Sequence, residues 1–366
     1  MPNERLIRAP AWRPGSRPKA IDNNTMPNSL HTLDEAHLAK YLESRIEGFK
    51  GPISTTKFPN GQSNPTFLIN TANDRYVLRR KPPGDLLPSA HAVDREYRVL
   101  KSLSDTDVPV AKVYHLCKDD SVIGSMFYVM SYEDGRVFWN PALPELKLND
   151  RRAIYDEKLR ILAALHDIDV AAIGLEDYGK PGNYFERQIN RWSKQYRASE
   201  TTTIEPMESL LEWLPANVPV DDDLTSLIHG DYRLDNMIFA PDDPNVLAIL
   251  DWELSTLGNP LADLSYYCMC LRLPVEGPII GLAGIDREAT GIPGESEIIE
   301  QYCGLRGIPG ISNWNFYMVF NFFRLASICQ GVLKRSLEGN ASSEAAVIRG
   351  NLVQPLAEMG INVISR

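Results

Sequence analysis

The segment His229-Gly-Asp-Tyr-Arg-Leu-Asp-Asn236 carries the side chains of this sequence that are best suited to chemistry, and a further carboxylate, Asp251, follows it. Asp231 has the properties of a general base, which would orient and deprotonate an attacking hydroxyl. Asn236 and Asp251 offer the oxygen ligands that a hard cation such as Mg²⁺ binds. Together, these residue types predict the transfer of a phosphoryl group.

A predicted β-hairpin would bring these side chains together. Two apolar runs, 237–240 and 246–250, flank the turn sequence Pro-Asp-Asp-Pro-Asn. A four-residue turn at 242–245 would place Asn236 directly opposite Asp251, with Cβ atoms roughly 5 Å apart. The preceding loop would hold Asp231 beside the same cation. Singly, each residue is more typical of turn structure, and a one-residue bulge would break the direct pairing.

This segment resembles the catalytic segment of the protein-kinase-like phosphotransferases, the superfamily of aminoglycoside phosphotransferases and choline kinases. In those proteins, the motif His-x-Asp-x-x-x-x-Asn is followed by a metal-binding Asp. The resemblance covers about 33–360 and implies that Asp231 is the base and that Asn236 and Asp251 bind the metal. It also implies that ATP and Mg²⁺ are the cofactors.

A narrower resemblance links the chain to the phosphotransferase domain associated with acyl-CoA dehydrogenases, which includes bacterial 4-hydroxyacyl-CoA kinases. Four segments carry it, namely 61–65, 76–84, 86–98 and 257–263. It implies a hydroxyacyl-CoA substrate. A kinase acting on an amino alcohol, a sugar or an aminoglycoside is the alternative enzyme, and a nucleotide-binding pseudokinase module is the alternative of another class.

Composition limits the class of protein. The chain has 366 residues, of which 43% are hydrophobic and 23% charged, values typical of a globular protein with room for two lobes. A net charge of −10 argues against nucleic-acid binding. No apolar run approaches about 20 residues, so no membrane span is expected. Five cysteines without paired spacing favour a reducing compartment, the cytoplasm. The oligomeric state stays open.

The pattern along the chain predicts an α+β, bilobal, protein-kinase-like fold. Residues 1–30, basic and rich in proline, are predicted to be an extended or disordered arm. Residues 31–133 begin with a helix whose predicted capping box is Thr32 and Glu35. They also contain five strand-like runs, predicted to form an antiparallel sheet, and one main helix, at 92–102, and form the predicted small nucleotide-binding lobe. Residues 134–366 are mostly helical in pattern and form the predicted large catalytic and substrate-binding lobe. Its predicted helices are 153–166, 184–198, 260–273, 296–305, 315–333 and 343–359.

Nucleotide contacts are expected in the small lobe. Gly61, Ser63 and Asn64 lie in a loop between the first two strands that could cover phosphates, although a plain hairpin turn fits equally well. Arg79 stands on the third strand, where protein kinases carry a lysine, and keeps a charge that binds phosphate. Glu96 lies on the inward face of the helix and therefore needs a cationic partner, for which Arg79 is the obvious choice. Adenine is expected to meet backbone groups near Ser131 and Glu133.

Several further residues are expected to support the site or to hold the substrate. His229 is predicted to brace its loop by hydrogen bonding, Glu253 to help hold the metal, and Asp263 to anchor the catalytic loop from the first turn of a helix. The arginines Arg233, Arg324, Arg335 and Arg349 are candidate anchors for the substrate. The last three, together with Lys334, are candidates for binding an anionic tail such as a coenzyme A phosphate.

Overall fold

The structure, a computed structural model, describes residues 32–58, 64–82, 92–220, 224–338 and 348–365. The predicted N-terminal arm and two of the predicted phosphate-loop residues, Gly61 and Ser63, lie outside the described residues. All other candidate site residues are described.

An antiparallel five-stranded sheet forms the first part of the chain, as predicted. Its strands are β1 (Ser54–Lys57), β2 (Thr66–Asn70), β3 (Arg75–Arg80), β4 (Val113–Cys117) and β5 (Phe127–Ser131), in the spatial order β1-β2-β3-β5-β4. Because side chains alternate along a strand, each strand contributes to both faces. Leu78 and Val129 pack with helix α1 (Glu35–Glu43), whereas Val77 and Tyr128 belong to the core that contains helix α2 (Val93–Leu103).

The start of α1 differs from the predicted capping box at Thr32 and Glu35. Asp34 is the N-cap, and its carboxylate accepts the amide of His37 at 3.0 Å. Glu35 instead accepts the amide and the hydroxyl of Thr55 at 2.6 and 2.8 Å. The carboxylate expected to close the helix therefore joins it to β1, since a sheet edge offers donors that a local motif does not reveal.

The large lobe contains seven long helices in the described residues. They are α3 (Leu148–Asp167), α4 (Tyr184–Ser199), α5 (Glu205–Ala216), α6 (Leu261–Arg272), α7 (Glu295–Arg306), α8 (Trp314–Leu337) and α9 (Val353–Ile364). Helix α8 is central and packs against α4, α6 and α9. It is the one described helix long and apolar enough to cross a membrane, but 78% of its most apolar window is buried inside the protein, which is typical of a core helix.

Helix α5 is absent from the sequence-based prediction because it contains two prolines. Pro206 stands in the first turn, where a missing amide hydrogen costs nothing, and Pro215 stands at the other end. Between them, Met207, Leu210 and Leu214 are fully buried on one face. The helical spacing of these apolar residues was the sequence pattern that indicated a helix, and the prolines mark its ends.

Two small antiparallel pairs lie at the junction of the lobes. Strand β6 (Ser226–Ile228) pairs with β9 (Thr256–Gly258), and β7 (Met237–Phe239) pairs with β8 (Val246–Ile249). The polar segment 229–236 connects β6 to β7, and Asp251 follows β8. These pairs therefore hold both ends of the candidate catalytic segment.

Candidate active site

Asp231 lies in the loop after β6, and hydrogen bonds hold both of its carboxylate oxygens. The side-chain nitrogen of Asn236 donates to Oδ2 at 3.0 Å and to the backbone oxygen of Asp231 at 2.9 Å. The hydroxyl of Tyr266 donates to Oδ1 at 2.6 Å. The carboxylate is still about a quarter exposed, at 24%. Asp231 is thus held in one orientation while remaining accessible to solvent at the junction of the two lobes, here called the cleft.

The charge state of Asp231 follows from its neighbours. Burial by itself raises the pKa of this carboxyl, but the charge of Arg233 and the hydrogen bond from Tyr266 outweigh it, so the pKa is lowered. The guanidinium of Arg233 lies 3.5 Å from Asp231 and 2.6 Å from Asp235. Asp231 is therefore ionised at neutral pH and has lone pairs to offer to a hydroxyl.

The predicted direct pairing of Asn236 with Asp251 is wrong. The turn lies one residue earlier than predicted, since the amide of Ala240 donates to the backbone oxygen of Asn245. An irregularity between Ile238 and Phe239 recovers only one of the two positions lost, so the amide of Leu250 donates to the backbone oxygen of Asn236 at 2.8 Å. Asp251 lies one residue beyond, with φ 63° and ψ 59°. This left-handed conformation is rare for a residue other than glycine, although Asp tolerates it better than most. A bend of the backbone, and not strand register, places this carboxylate.

His229 joins the two halves of the site, as predicted. Its Nδ1 accepts the amide of Asp231 at 3.1 Å, so Nε2 carries the proton and donates to the backbone oxygen of Leu250 at 2.8 Å. Leu250 precedes Asp251 directly. The neutral imidazole therefore fixes the distance between the loop of Asp231 and the bend at Asp251.

Asp263 anchors the same loop, again as predicted. From the first turn of α6, its two oxygens accept the amides of His229 at 2.6 Å and of Gly230 at 2.8 Å. Burial alone raises the pKa of Asp263, but its contacts with His166 and His229 lower it, so it stays charged. Gly230 has φ 84°, and a Cβ there would lie 2.8 Å from the backbone oxygen of Leu254. Only glycine fits this turn without strain.

Arg79 connects the small lobe to the site. Its guanidinium lies 2.8 Å from a carboxylate oxygen of Glu96, 2.7 Å from Asp251 and 3.9 Å from Glu253. The strand–helix ion pair predicted between Arg79 and Glu96 is therefore present. Glu253, predicted near the metal, points its carboxylate toward the same arginine.

Glu96 is almost fully buried, at 2% exposure, and is surrounded by donors. Besides Arg79, the amide nitrogen of Asn64 and the hydroxyl of Tyr128 each donate to it at 3.0 Å. Burial raises the pKa of Glu96 to about 7, although the charge of Arg79 opposes this shift. The negative charge beside Arg79 therefore depends on pH near neutrality.

Two nucleotide contacts expected from the sequence need correction. Asn64 is fully buried and donates to Glu96, so it supports the ion pair instead of facing a phosphate. The backbone amide of Ser131 donates to the backbone oxygen of Lys112 at 2.8 Å, so this amide is not available to adenine. The hydroxyl of Ser131 donates to the Glu133 carboxylate. Backbone groups of the following segment, 132–135, remain for a base.

The four candidate anchor arginines are in different environments. Arg233 lies within the catalytic loop, whereas Arg324 is only 7% exposed and donates to the backbone oxygen of Gly230 at 2.6 Å. Arg324 therefore braces the loop, and its expected contact with a substrate tail is corrected. Arg335 is exposed and stands three helical turns, about 16 Å, further along α8. Arg349 is half-buried in the segment before α9.

Tyr266 is a further residue of the site, and no sequence motif predicted it. It follows Asp263 by three residues on α6, and residues at this spacing share one face of a helix. Since Asp263 was expected to contact the catalytic loop, the same face carries Tyr266 toward Asp231. The spacing was the available signal, but a tyrosine among apolar residues is more typical of a core.

Comparison with known proteins agrees with this geometry. Residues 54–290 match the family described as APH, Phosphotransferase enzyme family. Mouse acyl-CoA dehydrogenase family member 10 is 47% identical over 92% of this chain, and human family member 11 is 42% identical over 97%. The match covers 32% and 46% of those two proteins. This chain therefore spans a third to a half of the length of these curated relatives.

Solved structures give the same result for the fold. A crystal structure described as that of a candidate aminoglycoside phosphotransferase from Ralstonia eutropha has a TM-score of 0.83 and 50% identity, and the match covers 91% of this chain and 99% of that one. APH(4)-Ia, in a ternary complex with AMP-PNP and hygromycin B, has a TM-score of 0.58 at 13% identity, covering 90% and 97%. The latter likeness concerns the fold alone. The bilobal kinase-like fold is thus confirmed, and the chain belongs to the phosphotransferase enzyme family, whose members phosphorylate a hydroxyl of a small molecule.

Proposed function

We propose that this protein transfers the γ-phosphoryl group of ATP to the hydroxyl of a hydroxyacyl-CoA, of the 4-hydroxyacyl type, with the help of Mg²⁺. The observation that carries the proposal is the convergence of Asp231, Asn236 and the bend at Asp251. Asn236 contacts Asp231 directly, and its backbone oxygen accepts the amide of Leu250, the residue before Asp251. A base and two oxygen ligands at one place are what phosphoryl transfer requires.

In this proposal, Asp231 binds the hydroxyl of the acceptor and takes its proton as the new bond to phosphorus forms. The carboxylate is ionised, partly exposed and fixed by two hydrogen bonds, so little reorganisation is needed. Its lowered pKa makes it a weak base in the ground state. It therefore acts mainly by orienting the hydroxyl, and it accepts the proton late, as the hydroxyl becomes acidic.

The proposed ligands of Mg²⁺ are Asn236 and Asp251. The side-chain nitrogen of Asn236 donates to Asp231, so the side-chain oxygen of Asn236 is left for a cation. Arg79 contacts Oδ1 of Asp251, so the second carboxylate oxygen of Asp251 is left for the cation. In the described ranges, no three His, Cys, Asp or Glu side chains form a metal cage. This fits Mg²⁺, which typically binds one or two carboxylates, phosphate oxygens and water. When bound, it would neutralise charge on the phosphates.

Arg79 is the proposed partner of the nucleotide phosphates. It is 13% exposed and lies between Glu96 and Asp251, at the edge of the cleft. Its guanidinium can bind phosphate oxygens with two parallel hydrogen bonds. APH(4)-Ia, which shares the fold, binds AMP-PNP, and this supports a nucleotide in the corresponding cleft. The adenine would then meet the backbone of 132–135.

The identity of the acceptor rests on the relatives. Relatives that are 42–47% identical over more than 90% of this chain are named as acyl-CoA dehydrogenase family members. This segment forms less than half of each. A phosphotransferase joined to an enzyme of acyl-CoA chemistry would share its class of substrate. Phosphorylation turns a hydroxyl into a better leaving group, so that the phosphate can later depart and the acyl chain can enter β-oxidation.

The test is ADP release with a panel of acceptors, namely 4-hydroxyacyl-CoAs, the matching free hydroxy acids, amino alcohols and aminoglycosides. We expect turnover with the CoA thioesters and at least tenfold lower kcat/KM with the free acids. Turnover with an amino alcohol or an aminoglycoside alone would replace the CoA proposal. Nucleotide binding without turnover of any acceptor would favour a regulatory module.

A further inference from the structure

Tyr266 forms a hydrogen bond with Asp231 that the general chemistry of phosphoryl transfer does not require. Its hydroxyl donates to Oδ1 at 2.6 Å, while Asn236 donates to Oδ2 at 3.0 Å. An ionised carboxylate offers about four lone pairs, two on each oxygen. Each oxygen of Asp231 therefore keeps one lone pair, whose direction depends on the donor that occupies the other.

The ring of Tyr266 is itself held in place. It is 5% exposed on α6, one turn after Asp263, which binds two amides of the catalytic loop. The guanidinium of Arg324 lies 5.3 Å from the centre of the Tyr266 ring and donates to the backbone oxygen of Gly230. Helices α6 and α8 thus lock both the tyrosine and the loop, so the hydroxyl has little freedom to leave Asp231.

Tyr266 acts as a donor and not as a base. Burial, with the charge of Asp231 adding to it, raises the pKa of its hydroxyl well above the ordinary value. The hydroxyl therefore keeps its proton at neutral pH. A short hydrogen bond from a neutral donor stabilises an ionised carboxylate without adding a competing charge.

We propose that Tyr266 is a positioning residue, which sets the rotamer of Asp231 so that the free lone pair of Oδ1 points at the acceptor hydroxyl. Without the phenol, Asn236 alone holds the carboxylate by hydrogen bonds, and Oδ1 keeps only the Arg233 guanidinium, whose Nε lies 3.5 Å away without forming a hydrogen bond. The proposal rests on the proposed function, because it assigns Asp231 to the acceptor. It adds a residue from α6 to a site otherwise built from the loop, the hairpin and the small lobe.

The chain supplies a matched control in the next residue. Tyr267 is also fully buried on α6, but within the described part of the protein its hydroxyl has no hydrogen-bond partner. Tyr266→Phe and Tyr267→Phe thus remove the same atom from adjacent rings of one helix. Only the first change removes a bond to Asp231.

The experiment compares both variants for turnover and nucleotide affinity. We expect Tyr266→Phe to lower kcat about 10- to 100-fold, the range for a hydrogen bond to a charged group. The KM for ATP and the affinity for AMP-PNP should stay within about twofold, as should every parameter of Tyr267→Phe. In an Asp231→Asn background, Tyr266→Phe should cause no further loss, because its effect passes through the carboxylate.

Three results would overturn the proposal. They are full kcat in Tyr266→Phe, an equal loss in Tyr267→Phe, and losses that multiply in the double variant with Asp231→Asn. If no acceptor is turned over, the substrate proposal fails separately, and thermal unfolding decides on Tyr266. The shifts in Tm for Tyr266→Phe and Asp231→Asn must then be non-additive, since additive shifts would mean that the two groups do not interact.

Discussion

The two sides of the cleft hold their charges in different ways. On the small-lobe side, one long guanidinium, Arg79, is shared between Glu96, Asp251 and Glu253, which come from both lobes. On the large-lobe side, the two oxygens of Asp231 accept hydrogen bonds from the neutral donors Asn236 and Tyr266, and the charge of Arg233 lies 3.5 Å away in the same loop. Asp263 ties this loop down.

The large-lobe side of the cleft is therefore preformed, whereas the small-lobe side must rearrange when a nucleotide and a cation bind. The large-lobe side is fixed by backbone amides and by side chains with few rotatable bonds, which lose little conformational entropy when they are held in place. On the other side, a nucleotide phosphate and a cation would compete with the ion pairs of Arg79 and Asp251. We therefore expect changes around Asp231 to affect turnover and changes around Arg79 to affect nucleotide binding and stability.

The largest effect is expected at Asp231. Asp231→Asn should reduce kcat by about 10²- to 10⁴-fold, because the general base is lost. Nucleotide affinity, measured by titration calorimetry with AMP-PNP, should be almost unchanged. Asp242→Asn, the same substitution in the exposed hairpin turn, is the control and should leave both quantities unaltered. Lost nucleotide binding in Asp231→Asn would assign the residue to the other side of the cleft.

On the small-lobe side of the cleft, the contribution of Glu96 to stability should depend on pH. The raised pKa of Glu96, about 7 against an ordinary 4.5, means that the folded state binds more protons than the unfolded state between these values. The contribution of this group to stability is therefore fully present below about pH 4.5 and is lost as pH rises toward 7. Arg79, Asn64 and Tyr128 face the group directly, and Asp251 and Glu253 add their charge.

Glu96→Gln should remove this decline in stability. The free energy of unfolding in urea, measured between pH 4.5 and 8, should become flatter in the variant than in the parent protein. Glu358→Gln, on the exposed surface of α9, should leave the slope unchanged. An unaltered slope in Glu96→Gln would show that the buried carboxylate does not titrate in this range.

A smaller effect is expected from the backbone at Asp251. Asp251→Ala and Asp251→Asn both remove the charge that Arg79 contacts. Asn tolerates the left-handed conformation better than Ala, so the alanine variant should be less stable by about 1 kcal/mol. Equal unfolding free energies for the two variants would mean that the bend at this residue carries no strain.

The smallest effect concerns two arginines of the large lobe, the exposed Arg335 and the half-buried Arg349. If Arg335 and Arg349 bind an anionic substrate tail, Arg335→Glu and Arg349→Glu should each raise KM for the acceptor about two- to fivefold, as exposed ion pairs contribute little. The value of kcat should remain constant, since neither residue contacts Asp231 in the described structure. An unchanged KM in both variants would remove them as anchors and confine substrate recognition to the loop side.

Some features could be predicted because their signal is local. The five strands follow from alternating apolar residues, and the inward face of α2 required a partner for Glu96. His229 and Asp263 were assigned to the catalytic loop from their motif positions, and the structure places them there. Helix α5 was missed where two prolines obscured a regular apolar spacing.

The sequence by itself determined the residue types of the site, the order in which they occur and the elements that carry them. The tertiary structure alone decided how they meet. A register shift and one left-handed residue, Asp251, replaced the direct strand pairing, and packing of α6 on the loop brought Tyr266 to Asp231. The physical reason is that hydrogen-bond partners distant in sequence are selected by shape and burial, which no local pattern encodes.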